Sequence, residues 1–179
     1  MSQSWSSLKK KFETEYLCEK LRGRIRYDFT LYRKSHDGAG LFSVFIDGQL
    51  IFQATSFAES YHDEIADGIK RENDIPMRDW NGKEFLFDDE NFAAENKAEK
   101  IAHEEGIYTT YEIIPCMKAY QNLSVSDALC SENYLFQMFA ILDRRTGKRS
   151  LLKKLEVYED LPEWLQKFYK LRFGIEGIV

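Results

Sequence analysis

Three prolines and ten glycines in 179 residues are too few for a collagen-like or low-complexity chain. Cysteine is equally scarce. Cys18, Cys116 and Cys130 are an odd number, separated by 98 and 14 residues, so they offer neither a disulfide framework nor a C-x-x-C metal pair. Small buried thiols in a reducing compartment are the expectation. No apolar run approaches the ~20 residues of a membrane-spanning helix. The Ser- and Lys-rich residues 1–12 have no apolar stretch and do not read as a secretory signal. A cytoplasmic protein without membrane contact follows as an expectation. Enzyme signatures are missing too. There is no G-x-S-x-G elbow, no G-x-G-x-x-G loop and no recognisable nucleophile–base order. That disfavours an enzyme, and neither a cofactor nor a metal is expected.

What is present suits a folded domain. Hydrophobic residues make up 44% and aromatics 15%, too rich for a disordered chain and enough for one core. We expect a single domain over residues 1–179, with parts at 1–58, 59–105 and 106–179. The net charge of −5 hides zoning. Residues 8–34 sum to +5, residues 59–105 to −9 and residues 143–172 to +4. A net-acidic chain is a poor default DNA binder, because phosphate contacts dominate such affinity. Opposite zones can still steer a charged partner.

The periodicities predict an α+β fold: an N-terminal helix, a three-stranded antiparallel β-meander and a mostly helical second half. Residues 4–21 read as one amphipathic helix, with Trp5, Leu8, Phe12, Tyr16 and Leu17 on one side, Ser4 as N-cap and Gly23 beyond its end. Ile25, Tyr27, Phe29 and Leu31 alternate with Arg24, Arg26, Asp28 and Thr30, a half-buried strand over residues 24–33. A loop is expected at 35–40 and strands at 41–46 and 49–54, joined by Asp47 and Gly48 in a tight hairpin. Ser56 and Glu59 form a capping box opening a second helix, with Ala58, Tyr61, Ile65 and Ile69 buried. Residues 73–82 read as irregular, and Phe85, Leu86 and Phe87 as an apolar anchor. Asp88, Asp89 and Glu90 start a polar helix to about residue 105, its stripe thin (Phe92, Ile101), hence exposed. Further helices are expected at 108–121, broken or kinked at Pro115, at 124–130, 133–142 and about 150–155. A last one opens with an Asp160–Glu163 capping box and carries Trp164, Leu165, Phe168 and Leu171.

Four segments invite a chemical reading. In residues 143–149, Asp143 is followed by Arg144, Arg145, Lys148 and Arg149. These cations suit phosphate, nucleic acid or an acidic partner, although Asp143 could instead pair with one arginine and fix the turn. Gly147, Lys148 and Ser150 resemble a phosphate loop only superficially, because the earlier glycine and the preceding strand are missing. His62 and His103 each precede two acids but provide no i, i+4 histidine pair, so solvated helical faces are expected. Asp88, Asp89 and Glu90 lack the alternation and glycine of a calcium loop. Arg24, Arg26, Tyr32 and Arg33 decorate a sheet face that either binds RNA by stacking or is merely solvated.

Residues 4–10 (Ser-Trp-Ser-Ser-Leu-Lys-Lys), residues 21–24 (Leu-Arg-Gly-Arg) with Tyr27, and residues 141–149 (Ile-Leu-Asp-Arg-Arg-Thr-Gly-Lys-Arg) together resemble a family of uncharacterised bacterial proteins of this length. In that family a helix opening with Trp precedes a Gly-Arg strand, and a late Leu-Asp-Arg-Arg-x-Gly-Lys-Arg motif precedes a leucine-bearing helix. The resemblance spans residues 5–155, is most specific at the late motif and is weakest over 74–105. It implies the fold and a bacterial origin but no activity. The leading functional expectation is a non-catalytic protein-binding module, an immunity or antitoxin-type protein that neutralises a basic toxin. Asp88, Asp89, Glu90, Glu95, Glu99, Glu104 and Glu105 are its candidate contacts. A nucleic-acid or phosphate-ligand binder using Arg144, Arg145, Lys148 and Arg149 is the second reading. A hydrolase whose site assembles only in space is the third.

Overall fold

The computed structural model describes residues 3–31, 40–76 and 88–178. The expected α+β order is present: an N-terminal helix, an antiparallel sheet in the order β1-β2-β3, and a helical second half. Tyr32, Arg33, most of the 35–40 loop, residues 77–82 and the Phe85–Phe87 anchor lie outside the described residues.

The alternation of strand β1 (Ile25–Leu31) puts Ile25 and Tyr27 into the core. It pairs with β2 (Gly40–Ile46), which pairs with β3 (Gln49–Thr55). Asp47 and Gly48 both have positive φ, 51° and 82°, as a type I′ hairpin demands. Opposite Val44 and Phe45 the register slips by one residue at Ile51, a bulge that keeps Phe52 and Ala54 facing inward. Of the arginines expected on the outer sheet face, the two among the described residues are engaged. Arg24 makes two hydrogen bonds to Asp47, and Arg26 reaches Asp28 at 3.0 Å while lying over the Phe45 ring.

The first helix is shorter than its periodicity predicts. Helix α1 (Trp5–Lys10) runs into a π-helical turn, Lys11–Glu15, and stops at Tyr16. Two facts explain this. Glu13 is needed to accept the Tyr27 amide of the edge strand at 2.8 Å. Leu17 leaves the helix to bridge Asp143, with Cys18 N donating to the Leu142 carbonyl and Arg144 N to that of Tyr16. A separate 3-10 turn, Glu19–Leu21, then precedes Gly23 at φ +80°.

Helices α2 (Ala58–Glu72) and α3 (Asp89–Glu104) form an antiparallel pair: Tyr61 meets Glu105, and the Pro76 carbonyl meets Asn91. The pair corrects three expectations. Ser56 does not cap α2. Its hydroxyl accepts from Gly40 N and bonds the Thr110 hydroxyl instead, tying the edge of β2 to the next helix. The buried side of α2 is Ala58, Ala66 and Lys70, with Tyr61 exposed. Helix α3 is not simply exposed. Ala94, Ala98 and Ala102, at strict i, i+4 spacing, form a smooth buried stripe that lets the two backbones approach, while Phe92 faces water.

The rest is helical: α4 (Thr110–Tyr120), α5 (Val125–Leu129), α6 (Tyr134–Leu142), α7 (Lys148–Leu155) and α8 (Glu163–Ile175). Helix α4 runs through the exposed Pro115 without a break. Ser124 and Asn133 cap α5 and α6. Asp160 closes a 3-10 turn rather than capping α8, and Pro162 holds the N-cap position. The sheet's inner face, α1, α4, α6 and α8 meet in one aromatic core. Phe12 contacts Tyr27, Tyr120 and Phe139, and Phe52 contacts Tyr108 and Trp164, with ring centroids 4.8 to 6.2 Å apart. Each fully buried aromatic contributes about 1.5–3 kcal/mol of burial energy.

Candidate functional site

The α2–α3 pair and the start of α4 enclose a cleft of about 320 Å³. Glu95, Glu99 and His103 repeat at i, i+4 and i+8 along α3, so they lie in one row beside the alanine stripe. Glu59 and His62 face them from α2, and Glu112 from α4. His62 and His103 are therefore not solvated faces. Their side chains are 26% and 20% exposed. His103 Nε2 is 2.6 Å from Glu112 Oε1 and 4.0 Å from Glu99 Oε1, and its ring stacks on Tyr108 at 4.0 Å. His62 Nε2 contacts the Glu95 carbonyl at 3.2 Å, while Glu95 itself pairs with the buried Lys70. Among the described residues no lysine or arginine lines the cleft.

Glu112 has two tasks. Its Oε2 accepts from Thr109 N and Oγ1, closing the capping box of α4, and its Oε1 meets His103. Burial alone would raise its pKa, but the hydrogen bonds from His103 and Thr109 outweigh burial and hold the carboxyl below its ordinary 4.5. A lowered folded-state pKa means stability that is present above the ordinary value and lost as pH falls through the folded one. Acid should thus loosen this corner. Glu112→Gln should flatten the fall in melting temperature between about pH 5 and about pH 3. An unchanged slope would assign the acid sensitivity elsewhere.

Two groups here have the donor atoms of a cation site: Glu99, His103 and Glu112, and His62, Asp63 and Glu95, each with ligand atoms within 4.8 Å of one another. They could hold a divalent cation through imidazole and carboxylate. In the second group, Lys70 already neutralises Glu95.

The candidate acids do not form one patch. Glu95 and Glu99 belong to the cleft. Asp88 N-caps α3 by accepting from Asn91 N, and Asp89 and Glu90 are exposed in the first turn. Glu104 and Glu105 lie about 22 Å further on, at the opposite end of α3, where Glu105 accepts from Tyr61 Oη.

The basic motif divides as well. Asp143 is fully buried and accepts from Arg145 N, Nε and Nη2 and from Tyr120 Oη, at 2.7 to 3.1 Å. Arg145 also lies over the Tyr16 ring. The Asp143 carboxylate, above all through its hydrogen bonds, holds the Arg145 guanidinium well above its ordinary pKa. Arg145 is thus a structural clamp between α1 and the α6–α7 turn. Arg144, Lys148 and Arg149 are exposed.

The fold and cleft define an α+β protein with a helical acidic flank and a clamped basic turn. The chain belongs to the SF0329 protein family, whose sequence model matches residues 4–173. No curated protein and no solved structure matches it. Among the described residues no helix is long and apolar enough to cross a membrane.

From the sequence, His62 and His103 read as solvated helical faces and Glu59 as a cap, while Glu112 has no signal of its own. The signal that points to them is the Glu95–Glu99–His103 row at helical spacing, opposite Glu59-x-x-His62.

Proposed function

We propose that the protein is a non-catalytic binding module that docks a basic protein partner at the α2–α3 cleft. The observation that carries this reading is the cleft's lining: Glu59, Glu95, Glu99 and Glu112 around about 320 Å³, with no lysine or arginine among them. An entering Lys or Arg side chain would meet these carboxylates at the cleft mouth, where Glu59 and Glu99 are exposed. The −9 balance of residues 59–105 would speed encounter with such a partner. The finer reading is an immunity-type or antitoxin-like protein of the bacterial cytosol, its partner a basic toxin such as a nuclease. An enzyme that grips nucleic-acid phosphates presents the cationic surface that this cleft complements.

Titration calorimetry with an arginine-rich peptide tests the cleft. Glu59→Gln combined with Glu99→Gln, both exposed, should weaken binding by about tenfold or more. Asp89→Asn combined with Glu90→Gln, at the far end of α3, should change it little. Equal losses would mean diffuse charge attraction and would overturn the reading. Tight one-to-one Zn²⁺ binding that Glu99→Gln abolishes and that blocks the peptide would reassign the cleft as a metal centre.

A further inference from the structure

The turn between α6 and α7 faces a second cavity, of about 530 Å³. Helix α7 opens on Gly147, which provides no side-chain cap, and a Cβ built there would meet nothing within 4 Å. The first backbone N–H groups of a helix carry partial positive charge and have no partner inside the helix. Gly147 and Lys148 both line the cavity, so this uncapped end borders it.

The cavity wall holds a second, independent feature. Arg172, on α8, is only 3% exposed. Its Nη2 donates to the Thr146 carbonyl at 3.1 Å, which fixes the guanidinium against the α6–α7 turn. Its Nε and Nη1 have no hydrogen-bond acceptor among the described residues. Nη1 lies 3.3 Å from Glu176 Oε1, an ion pair without hydrogen-bond alignment. Glu176 is shared, because it also accepts from Lys20 Nζ at 3.0 Å. Buried N–H groups without acceptors are costly, and an arginine is the side chain built to present such groups to an oxyanion.

The charge balance points the same way. Arg145 is neutralised by Asp143. Lys20, Arg144, Lys148 and Arg172 then face Glu19 and Glu176, leaving two positive charges unmatched. A phosphate monoester carries about −1.5 to −2 at neutral pH. The volume fits a small molecule. No aromatic side chain lines the cavity, so the stacking platform that single-stranded nucleic acid uses is missing among the described residues.

We infer that this cavity binds the phosphate group of a small phosphomonoester, held by Arg172 from the wall, by the first N–H groups of α7 and by Arg144 and Lys148 at the rim. The site is separate from the α2–α3 cleft, and either reading can fail without the other.

Calorimetry and thermal unfolding with inorganic phosphate, ribose 5-phosphate and a short single-stranded RNA, at constant ionic strength with chloride as control, test it. Phosphate and ribose 5-phosphate should each raise the melting temperature, and chloride should not. Arg144→Gln combined with Lys148→Gln, both exposed and free of structural bonds, should keep the unliganded melting temperature and weaken binding by about tenfold or more. Arg172→Lys keeps a cation but loses the fork, and should weaken phosphate further if it folds. Three results would overturn the inference: no stabilisation beyond that of chloride, equal affinity in wild type and the double variant, or RNA binding that ribose 5-phosphate does not displace.

Discussion

Replacing Asp143 by alanine is expected to lower the unfolding free energy by about 3 kcal/mol. The carboxylate is fully buried and serves four donor groups at once: Arg145 N, Nε and Nη2, and Tyr120 Oη. Without it the Tyr120 hydroxyl has lost its acceptor in an apolar core, which costs ~1–3 kcal/mol. The Arg145 side chain is 41% exposed and can turn towards water, so its share is smaller. The chain between α1 and β1 is the other casualty. Leu17, Cys18 and Arg144 are bridged across this turn, and the turn's geometry depends on the carboxylate. Arg145→Gln should be costly too, because it leaves a buried carboxylate without its cation. The combination D143A/R145Q should therefore cost clearly less than the sum of the single changes, since neither charge is left orphaned. Denaturant unfolding of the four proteins measures this. Additive costs, or a loss below about 1 kcal/mol for Asp143→Ala, would show that the pair is not a clamp.

That clamp was half legible beforehand. The sequence offered Asp143 as a partner for one of the arginines beside it, but nothing in residue spacing says which one, or that Tyr16, Leu17 and Cys18 would arrive from 124 to 128 residues away. Local patterns carried the strands well. The alternation from Ile25, the positive-φ pair Asp47 and Gly48, and the apolar spacing of Leu135, Met138, Phe139 and Leu142 each describe one element facing one core. Patterns failed where a residue's partner lies elsewhere in the chain. Ser56 has the spacing of a cap, yet its hydroxyl is taken by Gly40 and Thr110. The large apolar residues of α3, Phe92 and Ile101, make only a thin stripe, while the helix buries alanines against α2. The cleft was hidden for the same reason. His62 and His103 are 41 residues apart, and each sits beside acids that suggest a solvated face. Only the antiparallel packing of α2 on the alanine stripe of α3 brings both histidines into one cleft with Glu95, Glu99 and Glu112.

Gly106→Ala is the second change with a large expected cost, again about 3 kcal/mol. Gly106 ends α3 at φ +80°, with its own N–H donating to the His103 carbonyl and Ile107 N to that of Ala102. This is a Schellman end, and an L-residue in that left-handed position costs ~1–2 kcal/mol. A methyl group there would also stand 2.8 Å from Trp164 Cδ1 and 2.9 Å from Cγ. The indole cannot simply yield. It is 7% exposed, packs on Phe52 and Tyr108, and donates its Nε1 hydrogen to the His103 carbonyl at 3.1 Å. Overpacking of this kind adds ~1–3 kcal/mol. Gly23 separates the two contributions. It has the same φ of +80° but open space around it, so Gly23→Ala should carry the conformational cost alone. Equal losses in the two variants would mean that the Trp164 contact relaxes without penalty. The expected inequality has a functional consequence. Trp164 and Gly106 both hold the His103 carbonyl, and His103 holds Glu112 in the cleft. Gly106→Ala should therefore also weaken the arginine-rich peptide at temperatures where the variant is still folded, whereas Gly23→Ala should leave that affinity unchanged.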